Sequence, residues 1–182
     1  SEEPWKAHYR MHEYIERELP ALVHSHFPTL GPDVVSLMGH SMGGMGALAF
    51  ALRCPKAYRS VSAVSPIVHP TAVPDGSSPD VRLALLKYLG SDEAAWQPYD
   101  PVELVRHYSV DARGPTPPML VDVGAEDEFF DDVLRPFEFV QACRRQGLPL
   151  DFRCRAGYDH SYFYVASVME EHIDFHAKHL CE

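Results

Sequence analysis

The pentapeptide Gly39-His40-Ser41-Met42-Gly43 constrains this chain more than any other stretch. It follows an apolar run, Val34-Val35-Ser36-Leu37-Met38, and opens a Gly- and Ala-rich segment from Met42 to Arg53 that stops at Cys54-Pro55. The run reads as a buried strand of the parallel kind, and the segment as a tightly packed helix ended by the proline. A strand that turns sharply into a helix through G-x-S-x-G holds its serine in strained backbone and presents the hydroxyl above the sheet. Gly39 and Gly43 are expected to remove side chains that would collide with the turn and the adjoining strand. The helix N-terminus offers the Met42 N–H to a developing oxyanion. Ser41 is therefore the candidate nucleophile, and the competing reading is a Gly-rich turn with an incidental serine.

The remaining chain alternates in a way that fits this opening. Met11, Ile15, Leu19, Leu22 and Val23 fall at near-helical spacing, and Pro20 should kink or divide that helix. Residues 58–64, 119–123 and 150–155 read as further strands. Helices are expected over 133–146, ended by Gly147, and over 162–180. Residues 65–118 are Pro- and Ser-rich at both ends around a short helix near 81–89, and read as an excursion over the active-site side rather than core layering. The pattern predicts an α/β domain with a doubly wound, mostly parallel sheet flanked by helices. A chain of 182 residues with 46% hydrophobic content supports a single core.

Charge narrows the partners. With 26 acidic against 16 basic residues the net charge is −10, and no run of Lys or Arg forms a patch, which argues against nucleic acid and anionic membrane. No long apolar segment is present. Cys54, Cys143, Cys154 and Cys181 are scattered without a CxxC pair, so reduced thiols in a cytoplasmic protein are expected, with no metal or cofactor.

A serine hydroxyl needs a base to take its proton and an acid to orient that base. In this fold the order along the chain is Ser, acid, His. Of the eleven histidines, His160 alone lies after the fourth strand, in the loop that opens the last helix. His172, His176 and His179 lie within that helix at polar-face or packing spacing. His24, His26 and His40 precede the nucleophile, and His69 and His107 lie in the excursion. The acid should sit just past the third strand, where Asp122, Glu126, Asp127, Glu128, Asp131 and Asp132 compete. Asp127 is favoured because the chain has left the sheet there and can turn towards His160. Asp131 or Asp132 is the runner-up.

These residues, together with Glu3-Pro4-Trp5-Lys6, Tyr9-Arg10-Met11, Tyr88-Leu89-Gly90, Trp96 and Gly157-Tyr158-Asp159-His160-Ser161-Tyr162, resemble the S-formylglutathione hydrolase (esterase D) family over essentially the whole chain. The resemblance implies a triad of Ser41, Asp127 and His160. It also implies hydrolysis of S-formylglutathione to formate and glutathione, a step of formaldehyde detoxification, with side activity on small aryl esters. A small-molecule thioester is then the partner, and a homodimer stays open as the assembly. Trp96 and Tyr158 are candidates for walls around the site.

The departure from that family is at the front. The chain opens on Ser1, and family members begin roughly a hundred residues earlier, where a loop normally gives the second oxyanion N–H. The expectation is a C-terminal portion of a longer enzyme, inactive alone, since losing one such donor costs about 3–4 kcal/mol. Two alternatives accompany this reading: a broader carboxylesterase of the same fold, and a truncated, non-catalytic chain that binds a partner through an open strand edge.

Overall fold

Among the described residues, four parallel strands lie in chain order across one sheet: β1 (Leu37–His40), β2 (Val61–Val64), β3 (Met119–Gly124) and β4 (Asp151–Arg155). The computed structural model describes residues 2–77 and 80–181; Ser1, Glu182, and Ser78 and Pro79 of the expected excursion lie outside the described residues. The helices are α1 (Met11–Glu13), α2 (Leu19–His26), α3 (Met42–Arg53), α4 (Val81–Leu89), α5 (Pro101–Arg106), α6 (Val110–Arg113), α7 (Pro136–Gln146) and α8 (Tyr162–Leu180).

Strand order follows sequence order, so right-handed crossovers place the connecting helices on one face of the sheet. There α3 packs on α5, and α5 on α7. The pleat sends Val61 and Ala63 of β2 and Met119, Val121 and Val123 of β3 to that face. They join Leu48, Leu52, Val102, Val105 and Phe139 in the main core. Burying each large aliphatic side chain there contributes about 1.5–3 kcal/mol. The opposite face is covered by α8. Beneath it Val64, Tyr164 and Val168 form a small apolar cluster beside the buried polar groups Ser60, Ser62, Asp122, His172 and His176. No described helix is long and apolar enough to cross a membrane.

Helices α3, α4 and α8 fall where the sequence places them. Elsewhere the structure departs from expectation for local reasons. The first strand is not 34–38: its ladder begins at Leu37↔Val61 and runs through Gly39 and His40. Before that, the contacts are irregular: Arg59 N–H donates to the Val35 carbonyl at 2.8 Å, and the Ser36 and Ser60 hydroxyls meet at 2.7 Å. The 65–118 segment is more than an excursion, because Val68, Val102, Val105 and Tyr108 belong to the main core. Asp100 makes this happen: buried, it accepts the Glu103 N–H at 3.0 Å and the Thr71 hydroxyl at 2.7 Å, starting α5 at Pro101. The helix expected over 133–146 is split by Arg135, whose φ of 54° ends a wide turn over Phe130–Leu134 before Pro136 opens α7. Pro20 acts similarly: a wide turn over Tyr14–Glu18 precedes α2, since proline has no N–H for the ladder.

Candidate active site

The sharp turn between β1 and α3 holds Ser41 at φ 57° and ψ −117°. Such a backbone costs a non-glycine residue about 1–3 kcal/mol and persists only where its surroundings fix it. Here the Ser41 N–H donates to the Val64 carbonyl of β2 at 3.0 Å, and its own carbonyl accepts the Met45 N–H at 3.0 Å. Gly39 is required: a Cβ there would stand 2.7 Å from Gly44 N and closer still to the Gly43 carbonyl. Gly43 is different from expectation, because a Cβ on it would meet nothing within 4 Å. The close approach belongs to Gly44, where a Cβ would lie 2.9 Å from the Pro66 ring and 3.2 Å from Ala63 of β2. Met42 is the first residue of α3, so its N–H has no acceptor within the helix and is free for an oxyanion.

His160 comes from the loop between β4 and α8, and Asp127 from the loop after β3. The His160 Nδ1–H donates to Asp127 Oδ2 at 2.6 Å, leaving Nε2 to accept from the Ser41 hydroxyl at 3.1 Å. The Asp127 side chain is fully buried, and its other oxygen accepts the Phe129 N–H at 2.9 Å. The Phe129 ring stands edge-on to the His160 ring at 4.9 Å, limiting its tilt. The His40 ring packs against His160 at 4.8 Å. Burial, followed by the neighbouring His160, lowers the pKa of His40 and favours its neutral form.

Of the competing acids, Glu126, Glu128, Asp131 and Asp132 are exposed. Asp122 is buried but faces away from Ser41, towards Arg155 and Tyr164 under α8. The Ser41 hydroxyl opens into a cleft of about 770 Å³ whose rim includes Met42, Tyr162, Phe163 and Ala166. Trp96 does not line it: its indole is 3% exposed, donates to the Gly90 carbonyl at 2.9 Å, and packs under Arg82. Tyr158 does not line it either; its ring packs on Tyr164 at 4.9 Å, and its carbonyl accepts the Glu126 N–H. Sequence reasoning missed Tyr162 and Phe163 as rim residues, which are 80% and 89% exposed, although two adjacent aromatics, separated from the candidate base by Ser161 alone, were the available signal. Among the described residues no group of His, Cys, Asp and Glu is arranged to hold a metal ion.

A serine at the strand-to-helix turn, with a histidine and a buried aspartate brought to it by loops at the same end of a parallel sheet, is an arrangement of the α/β-hydrolase fold. Residues 1–175 match the family described as "Putative esterase", and the chain belongs to that family. Its relatives are more particular. It is 44% identical to an S-formylglutathione hydrolase of Rattus norvegicus over 99% of this chain and 61% of that protein. A second S-formylglutathione hydrolase, of Bos taurus, is 43% identical with the same coverage. The solved S-formylglutathione hydrolase of Agrobacterium tumefaciens superposes with a TM-score of 0.88 at 40% identity, covering 99% of this chain and 61% of the other. The chain thus spans about 61% of the length of the curated relatives it matches.

Proposed function

We propose that this chain carries the nucleophile, base and acid of a serine thioesterase acting on S-formylglutathione. The observation that carries the proposal is the unbroken hydrogen-bond line from Ser41 Oγ through the His160 ring to the buried Asp127 carboxylate. The substrate rests on the names of the relatives.

His160 Nε2 takes the Ser41 proton as Oγ attacks the thioester carbonyl carbon. Charge moves to the carbonyl oxygen, where the Met42 N–H stabilises it, while Asp127 steadies the imidazolium. The C–S bond breaks and the thiolate leaves, taking the proton from His160. Water, deprotonated by the same Nε2, then attacks the formyl ester, and formate leaves as Ser41 regains its proton. We place the second oxyanion donor in the part of the relatives' length that this chain does not span. Cytoplasmic location, as a monomer or a homodimer, is part of the proposal, supported by four free cysteines.

A second reading, a broader carboxylesterase, is favoured by the apolar rim of Met42, Tyr162 and Phe163 beside Ser41. The test compares kcat/KM for S-formylglutathione with that for an aryl acetate, in the parent and in Ser41→Ala. A large preference for the thioester, lost in the variant, supports the proposal. A preference for the aryl ester selects the carboxylesterase, and a variant that keeps its activity removes Ser41 as nucleophile.

A further inference from the structure

Asp122 was a candidate for the triad acid, yet its carboxylate is engaged elsewhere. It lies at the C-terminal part of β3, fully buried, and collects donors from two segments. Arg155, the last residue of β4, approaches it side-on, Nε–H to Oδ1 at 2.9 Å and Nη2–H to Oδ2 at 2.7 Å. Tyr164, in the first turn of α8, donates its hydroxyl to Oδ1 at 2.6 Å. Between Arg155 and Tyr164 runs the loop that carries His160.

We infer that Asp122 is a positioning residue, one carboxylate that fastens both ends of the His160 loop and thereby sets where the imidazole stands. This inference rests on the reading of His160 as the base. The loop has few other anchors: Ala125 N–H donates to the Arg155 carbonyl at 2.8 Å and Glu126 N–H to the Tyr158 carbonyl at 2.9 Å. Those bonds fix its height above β3. The carboxylate adds the lateral tie between β4 and α8.

The surroundings hold the group as an anion. Arg155 is bridged onward to Glu171 of α8, Nη1–H to Oε1 at 3.0 Å, which fixes the guanidinium from its far side. Burial opposes ionisation, but the neighbouring His172, Arg155 and Tyr164 outweigh it and hold the Asp122 carboxyl down to about 2. His172 Nε2 stands 3.8 Å from Oδ2, beyond hydrogen-bond reach, so Arg155 and Tyr164 supply the direct ties. A displacement of the loop by about 1 Å is enough to matter, because misplacing a catalytic group by that distance costs roughly a hundredfold in rate.

The decisive variant is Tyr164→Phe, which keeps the ring against Tyr158 and removes only the hydroxyl. Asp122→Asn is the companion. Phe139→Leu, on the buried face of α7, is the control for general destabilisation. Two readouts are taken on each: the rate at which a fluorophosphonate labels Ser41, and the downfield proton resonance of the His160 Nδ1–H bonded to Asp127. Expected for Tyr164→Phe and Asp122→Asn is a fall in labelling of ~10–100-fold with a broadened or lost resonance. Phe139→Leu should keep both, even if its unfolding midpoint drops further. An unchanged resonance and labelling rate in Tyr164→Phe overturns the inference, as does equal loss in the control. Should the parent not label at all, the resonance still decides the matter, whereas a failure of Ser41 as nucleophile shows itself separately in Ser41→Ala.

Discussion

Gly124 and Tyr158 are in backbone contact: a Cβ on Gly124 would stand 2.7 Å from Tyr158 C and 2.8 Å from Asp159 O, and closer still to the Tyr158 carbonyl oxygen. The loop that presents His160 therefore lies directly on the end of β3. Gly124→Ala should push it away. Overpacking of this kind costs typically about 1–3 kcal/mol. A lower denaturant midpoint together with slower fluorophosphonate labelling of Ser41 is expected. Labelling at the parent rate would mean the loop yields without moving His160.

The proposed acid makes a sharper prediction. Asp127 accepts from His160 Nδ1, so an amide there would favour the wrong tautomer and leave Nε2 protonated. Asp127→Asn should lower kcat by about ten-thousandfold with the fold intact. Asp131→Asn, on an exposed side chain nearby, should leave turnover unchanged. The measurement is kcat on an aryl acetate, and equal losses in the two variants would remove Asp127 from its role.

Stability should depend on pH through His176. It lies in α8 with both ring nitrogens on buried hydroxyls, Ser60 at 2.8 Å and Ser62 at 2.7 Å. Burial, then the nearby His172 and His179, lower its pKa from 6.5 to about 4. The unfolded chain binds this proton first, so stability is lost as pH falls from 6.5 towards about 4. The loss from this group is on the order of 3 kcal/mol at most. Denaturant curves across that range should show it, and His176→Gln should flatten it. A variant as acid-sensitive as the parent would assign the effect to other groups.

Thiol chemistry separates the four cysteines. Cys54, Cys154 and Cys181 are exposed, whereas Cys143 is buried on the core side of α7, and burial pushes its thiol up to about 12. A thiol reagent should modify the first three in the folded protein and Cys143 only after denaturant is added. Modification of Cys143 in native buffer at the rate of the others would contradict its burial.

What the sequence made legible was local. Ser41 and the start of α3 follow from a short motif in contact with itself, and α8 follows from uninterrupted periodicity. That Ser41, Asp127 and His160 come together could be read because each lies just past a strand. Gly43 was misread because a motif names conserved letters, while the steric demand fell on Gly44, whose neighbour Pro66 is remote in the chain. Trp96 invited a functional reading as a large aromatic in a loop, yet its burial under Arg82 depends on pairings no window of sequence contains. The same holds for Asp122, whose partners come from β4 and α8, and for the His172 and His176 bonds to β2.

The order of the strands also bears on how reactivity arises during synthesis. Each strand pairs with the one made just before it, so the sheet can assemble in the direction the chain emerges. Ser41 belongs to the first strand's turn, Asp127 to the third's, and His160 to the very last connection. On the proposed reading, the serine is made first and its base last, so the three groups meet only once β4 and the loop after it have joined the sheet.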